Sequence, residues 1–384
     1  MSKSQRIVWI DWLRIVSIFF VIIIHSTEPF YIGGEGSLIA SRTDALWVAF
    51  FDSFCRACVP LFIIASCYLL LPLNISAGQF FRRRFVRVIV PFVIWSIAYA
   101  LIWGEPVQNF TDLLLNFNYA AGHLWFVYML LGIYLLIPIL TPWARQVSQR
   151  QLAFYLVICL FTTLIPFVRQ MAGGPESLLI YGSSGIPNPA KFPLWGEASW
   201  NAYGVFYYFS GFIGYLLLAL YVRRFCINVP RRYSAIFGIC TFLAGFAICF
   251  FGFLHYVNVT SNGQFPAEGS IALVTVWETP WFYDSTGVAL MAIGWIFILR
   301  LICGDVLIYQ RVTLPLAKAS YGVYLMHMFV LAAVFGWMKA NITGLGVWNT
   351  PAVILASALA TFAISSIASL IFGKIPCLGK YIVG

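Results

Sequence analysis

Residues 9–26 read WIDWLRIVSIFFVIIIHS. An apolar run of this length suits a membrane-crossing helix, because a hydrocarbon core of roughly 30 Å needs about 20 residues rising about 1.5 Å each. Three ionisable side chains interrupt it: Asp11, Arg14 and His25. Eleven steps of about 100° bring His25 back to within roughly 20° of Arg14, after a rise of about 16 Å. Asp11 precedes Arg14 by three residues and shares that face. Ionisable groups in lipid are costly and face a partner or a cavity. The pattern predicts a polar track down one side of a membrane helix.

Working outward, the 384 residues are 61% hydrophobic and 9% charged, whereas soluble domains carry about 25% charged residues. Apolar stretches of spanning length fall near 7–27, 46–71, 88–104, 124–143, 152–168, 203–221, 234–254, 283–303, 318–339 and 351–373. They predict an all-α polytopic bundle of about ten transmembrane helices, forming one integral-membrane domain over residues 1–384. The net charge of +10 would suggest nucleic acid for a soluble protein, but basic loops on one membrane face explain it here. With the N-terminus inside, 18 of the 23 basic residues fall on the inner side, leaving Arg42, Arg56, Arg169, Lys191 and Lys339 outside. That asymmetry predicts both termini in the cytoplasm. The nine cysteines lie mostly in apolar segments. Cys55 and Cys58 have CxxC spacing, but no second pair completes a metal site, so no metal is expected. The long outer loops 169–202 and 255–282 mix aromatic and small polar residues, which suits either stacking on sugar rings or an interfacial aromatic belt.

His25 is the sharpest candidate for chemistry. It follows FFVIII, and an imidazole accepts and returns protons near neutral pH. The plainer reading is a helix-end histidine bonded to a loop. Glu28 is placed to orient it, although Pro29 disfavours helical geometry at Glu28. Arg14 suits a phosphate or carboxylate, or else an ion pair with Asp11 at the interface. FFRRRFVRVIVPF (80–92) places Arg84 and Arg87 where an anionic ligand from the cytoplasm could be clamped; anchoring to anionic lipid explains the same charges. His123 opens the fourth span and His327 lies inside the ninth; each is a catalytic candidate or a packed bundle histidine. Arg56 has Asp52 one turn earlier, the spacing of an ion pair. No GxGxxG, Walker, HExxH or GxSxG motif is present in the sequence.

These segments together resemble the membrane-bound acyltransferase family 3, whose members O-acylate cell-surface carbohydrates. WIDWLRIVSIFFVIIIHS resembles its first helix, with an Arg, ten residues and a His. RACVPLFIIASCYLLL (56–71), FFRRRFVRVIVPF with Arg84-x-x-Arg87, HLWFVYMLLGIYLLIPIL (123–140) and ASYGVYLMHMFV (319–330) resemble later segments, in order. The likeness is greatest to stand-alone O-acetyltransferases of bacterial surface polysaccharides, including the enterobacterial common antigen type. One departure is Ser66-Cys67-Tyr68, where the family usually has Ser-Gly-Tyr. The resemblance implies acetyl-CoA or another acyl-CoA as donor and a surface polysaccharide or lipid-linked glycan as acceptor. It also implies a bacterial inner membrane, with no nucleic-acid partner and no separate SGNH domain. In this picture His25 is the catalytic base, Arg14, Arg84 and Arg87 hold coenzyme A phosphates, and Asp11, Glu28, Arg56, His123 and His327 support them. Arg56 or His123 would steady the oxyanion. The rival class is a membrane transporter or flippase of a carbohydrate or lipid; the paired repeats common in transporters are not evident. The topology has a direct test: a single cysteine placed after residue 170 in a cysteine-free background should react with an impermeant maleimide from outside the cell, and labelling only from the cytoplasm would reverse the orientation.

Overall fold

The structure, a computed structural model, describes residues 7–33, 36–103, 111, 119–168, 203–302 and 306–384. Arg169, Lys191 and the loop 169–202 lie outside the described residues. Nine helical segments among the described residues are long and apolar enough to cross a membrane. Helix α1 runs unbroken over Val8–Thr27, so Arg14 and His25 share one helix. Pro29 has no N–H to continue the helical ladder, and Glu28–Phe30 close as a 3-10 turn.

A small antiparallel sheet follows, which the all-helical reading did not anticipate. Its strands are β1 (Ile32–Gly33), β2 (Gly36–Ile39) and β3 (Ala267–Ser270), in the order β1-β2-β3. Gly36 pairs with Ser270 and Ile39 with Ala267. A Cβ at Gly36 would strike the Gly269 carbonyl oxygen, so this crossing needs glycine.

Proline and glycine decide the other departures from plain helices. The expected second span, 46–71, is two helices: α2 (Arg42–Cys55) and α3 (Cys58–Leu70). Pro60 offers no N–H to the Arg56 carbonyl, and the ladder resumes with Leu61 N–H to Ala57 O at 3.0 Å. The third span begins earlier than its apolar run, with α4 (Ala77–Arg84), a π-turn over Phe85–Ile89 and α5 (Val90–Ile102). Pro91 cannot bond the Arg87 carbonyl, and Val90 N–H reaches Phe85 O instead. Helices α6 (Trp125–Gln146) and α7 (Gln149–Thr162) follow. The expected sixth span, 203–221, is a 3-10 turn over Gly204–Phe209 and a 13-residue helix, α8 (Ile213–Phe225), and is not among the nine. Gly204 and Gly211 have φ of 50° and 67°, left-handed geometry that no α-helix continues through. The remaining helices are α9 (Arg231–Ser261), α10 (Ile271–Trp277), α11 (Thr286–Leu299), α12 (Leu314–Asn341), α13 (Asn349–Gly373) and α14 (Gly379–Ile382).

The chain divides into two compact units. Unit 1 comprises residues 1–68, 147–303 and 342–355; unit 2 comprises 69–146, 304–341 and 356–384. In unit 1, α9 and α11 pack through glycines. A Cβ on Gly245 would meet the Gly287 carbonyl and the Met291 nitrogen, and one on Gly294 the Gly238 carbonyl. Small residues let helix backbones approach closely where lipid supplies no hydrophobic drive. The opposite side of α9 exposes Phe237, Ile239, Leu243 and Phe251, as a lipid-facing surface does. In unit 2, Trp95 Nε1 donates to Ile382 O at 2.8 Å and Tyr321 Oη to Val88 O at 2.8 Å, tying the C-terminal residues and α12 to the π-turn region.

Replacing Gly245 by Leu should therefore destabilise the protein by about 2 kcal/mol or more, read as a lower melting temperature in detergent. Gly132→Ala, where nothing lies within 4 Å of the new Cβ, should leave it unchanged. Equal melting temperatures for both variants would contradict the glycine packing.

Candidate functional site

The end of α1 carries a dense polar group. His25 Nδ1 lies 2.8 Å from Glu28 Oε1, with both side chains partly accessible. Glu28 keeps helical φ and ψ of −48° and −44° despite preceding Pro29, and so reaches back one turn. A carboxylate at Nδ1 fixes that nitrogen as the N–H and leaves Nε2 as the lone-pair nitrogen of the neutral ring. Arg14, lower on the same helix, is 3.5 Å from Asp11, and the Asp11 carboxylate is almost wholly buried.

Two residues past His25, Thr27 connects this end of α1 to a buried ionic network. Its hydroxyl lies 2.9 Å from Asp52 Oδ2 and 2.6 Å from the Ile24 carbonyl; its one proton serves one acceptor at a time. Asp52, on α2, accepts from Arg56 at 3.0 Å. Arg56 also donates through Nε to the Trp281 carbonyl at 3.0 Å and lies 3.6 Å from Glu278. The rings of Trp281 and Tyr283 flank its guanidinium at 5.3 and 5.2 Å. Tyr31 donates to Glu278 at 2.6 Å. Burial, reinforced by the neighbouring carboxylates, pushes the Tyr31 hydroxyl well above the usual tyrosine range, so it stays a donor. Trp281 is fixed in turn by its Nε1 bond to Ser53 at 2.8 Å and by stacking on Phe253 at 4.0 Å.

The expected Asp52–Arg56 ion pair is thus present. Arg56 is committed to Asp52, Glu278 and a carbonyl, which suits a positioning part better than an oxyanion donor. Sequence reasoning missed Thr27, Tyr31, Glu278 and Trp281. The Tyr31–Glu278 bond joins residues 247 positions apart, and the β2–β3 pairing helps bring their segments together.

The other candidates lie in unit 2. The Arg84 guanidinium sits over Phe80 and Tyr134 at 5.6 and 5.3 Å, and its Nε is buried without a hydrogen-bond partner among the described residues. Arg87 is exposed on the π-turn. His123 and His327 meet edge to face, with ring centroids 5.1 Å apart. The His327 ring bonds through Nδ1 to the Tyr324 carbonyl at 2.6 Å, and Tyr324 Oη donates to the His123 carbonyl at 2.5 Å. Tyr99 stacks on Phe329 at 4.0 Å beside them.

A protein-family comparison matches residues 7–370 to a model described as an acyltransferase domain. Searches of curated proteins and of solved structures returned no match.

Arg56→Leu should strand the buried carboxylate of Asp52, and removing one partner of such a pair costs about 3–5 kcal/mol. Thermal unfolding in detergent should show a large loss for Arg56→Leu and a smaller further change when Asp52→Asn is added. Strictly additive losses would show that the two side chains are not coupled.

Proposed function

The chain belongs to the acyltransferase 3 family and is a membrane acyltransferase, and from that premise we propose that it moves an acetyl or other short acyl group from cytoplasmic acyl-CoA to a hydroxyl of a cell-surface carbohydrate. The observation that carries the proposal is the His25–Glu28 pair at 2.8 Å, set at the far end of the helix that bears Arg14. Glu28 orients the ring and balances the charge the ring gains. Nε2 takes the proton of the acceptor hydroxyl as its oxygen attacks the thioester carbonyl. The tetrahedral adduct then expels coenzyme A: the carbon–sulfur bond breaks, and the departing thiolate recovers the proton from His25.

The donor's charges call for cations. Arg84 and Arg87, with Arg14 on α1, are the residues assigned to the coenzyme A phosphates. The uncommitted Arg84 Nε and the exposed Arg87 support that assignment. Asp11 holds Arg14, while Asp52, Arg56 and Glu278 hold the end of α1 through Thr27. The basic loops favour an inner membrane with both termini in the cytoplasm, so that acyl-CoA is met inside and the acceptor, a surface polysaccharide or lipid-linked glycan of the enterobacterial common antigen kind, outside.

His25→Ala should lower acetyl transfer about 10²–10⁴-fold in membranes where the protein is present at its normal level. Glu28→Gln should retain more activity than His25→Ala, because it removes the balancing charge but keeps an acceptor for Nδ1 and leaves the base in place. Near-normal transfer by His25→Ala would dismiss the assignment.

A further inference from the structure

Helix α13 carries Ser357, Thr361, Ser365 and Ser369 at one-turn spacing, with Ser366 beside them. Residues four apart share one helix face, so these hydroxyls form a ladder that rises about 18 Å from first to last. All five are buried: Ser357, Thr361 and Ser365 at 0%, Ser369 at 2% and Ser366 at 4% exposure. The opposite face exposes Leu355, Leu359, Ile364, Ile367 and Ile371. The helix thus turns isoleucine and leucine outward and packs its hydroxyls inward.

Hydrogen bonding sets these hydroxyls apart. Several helical serines and threonines elsewhere in the chain bond back to their own helix: Ser17 to Leu13 O at 2.6 Å, Ser26 to Ile22 O at 2.7 Å, Thr141 to Ile137 O at 2.8 Å. On α13, Ser369 donates to Ala319 O at 3.0 Å. The hydroxyls of Ser357, Thr361, Ser365 and Ser366 have no partner among the described residues. A buried polar atom left without a partner costs free energy, and four on one helix mark a place where a ligand completes the bonding.

The ladder's Ser369 end lies near the proposed phosphate clamp. Gly322 has both Ser369 and Val383 beside it, and the next residue, Gly384, adjoins the Arg87 carbonyl and Tyr321. One unit therefore carries arginines for an anionic head and, leading away from them, uncharged groups that both donate and accept. Residues 349–373 contain no Asp, Glu, Lys or Arg, so the portion of the ligand beyond its anionic head is neutral. Hydroxyls both donate and accept, so they suit a ligand portion that offers N–H and C=O groups. The amide-bearing pantetheine arm of an acyl-CoA has that chemistry.

We propose that the hydroxyl ladder of α13 binds the pantetheine arm of the acyl donor. The inference rests on the acyl-CoA reading above and extends it to residues that reading does not use. In full-length protein in nanodiscs, the triple variant Ser357→Ala, Thr361→Val, Ser365→Ala should bind acetyl-CoA about tenfold more weakly, as the loss of two ordinary hydrogen bonds would give. Its affinity for adenosine 3′,5′-bisphosphate, which has the anionic head and no arm, should match wild type. The ligand-free melting temperature should be unchanged or higher, because the substitutions remove unbonded polar groups. Thr361→Val alone, nearly isosteric, should give a smaller shift of the same kind. Unchanged acetyl-CoA affinity, or equal weakening for both ligands, would overturn the ladder while leaving the donor reading intact. A wild-type protein that bound neither ligand would remove the donor reading and the ladder together.

Discussion

A guanidinium buried in a lipid-embedded protein must be matched by anions and carbonyls, and Arg56 obliges the surrounding chain to supply them. Asp52 comes from one turn earlier on α2, the Trp281 carbonyl from a tight turn before α11, and Glu278 from the end of α10. Each partner is itself held, Asp52 by Thr27, Glu278 by Tyr31 and Trp281 by Ser53. Leaving any of these charges alone would cost several kcal/mol, so the helices and the small sheet that bring them together are fixed in place. The end of α1, with His25 and Glu28, is anchored through Thr27 to this group.

Proline shapes where those charges sit. Arg56, Arg87 and Arg311 each lie four residues before a proline: Pro60, Pro91 and Pro315. In each case the missing N–H removes the helix bond to the arginine carbonyl. The outcome is a break at Arg56 and π-turns around Arg87 and Arg311. His25 stands in the same relation to Pro29, where α1 gives way to a 3-10 turn. Distorted helical turns of this kind often occur at functional positions, and three of these four residues belong to the proposed chemistry or its support.

Much of this was legible in the sequence. The Arg14–His25 spacing needs only a continuous helix, and apolar runs predict one. The Asp52–Arg56 pair follows from one-turn spacing. The break at Arg56 was legible too, had Pro60 been weighed against the apolar run that hides it. The hydroxyl ladder has a plain four-residue period, but periodicity does not say that the hydroxyls lack partners. Tyr31 and Glu278 were beyond reach, because their meeting depends on pairing Gly36–Ile39 with Ala267–Ser270, and neither segment has the alternation of a strand. The sixth apolar run is helical over only part of its length, since hydrophobicity there continues through Gly204 and Gly211, where the backbone leaves the α-helix.

The proposed reaction makes an ester bond rather than carrying a molecule across. Purified protein in proteoliposomes, supplied with acetyl-CoA radiolabelled in the acetyl group on one side and surface polysaccharide on the other, tests it most directly. Alkali-labile radioactivity should appear in the polysaccharide fraction, with release of one free coenzyme A thiol per acetyl transferred. Polysaccharide or lipid moved across the bilayer with no label incorporated would contradict it.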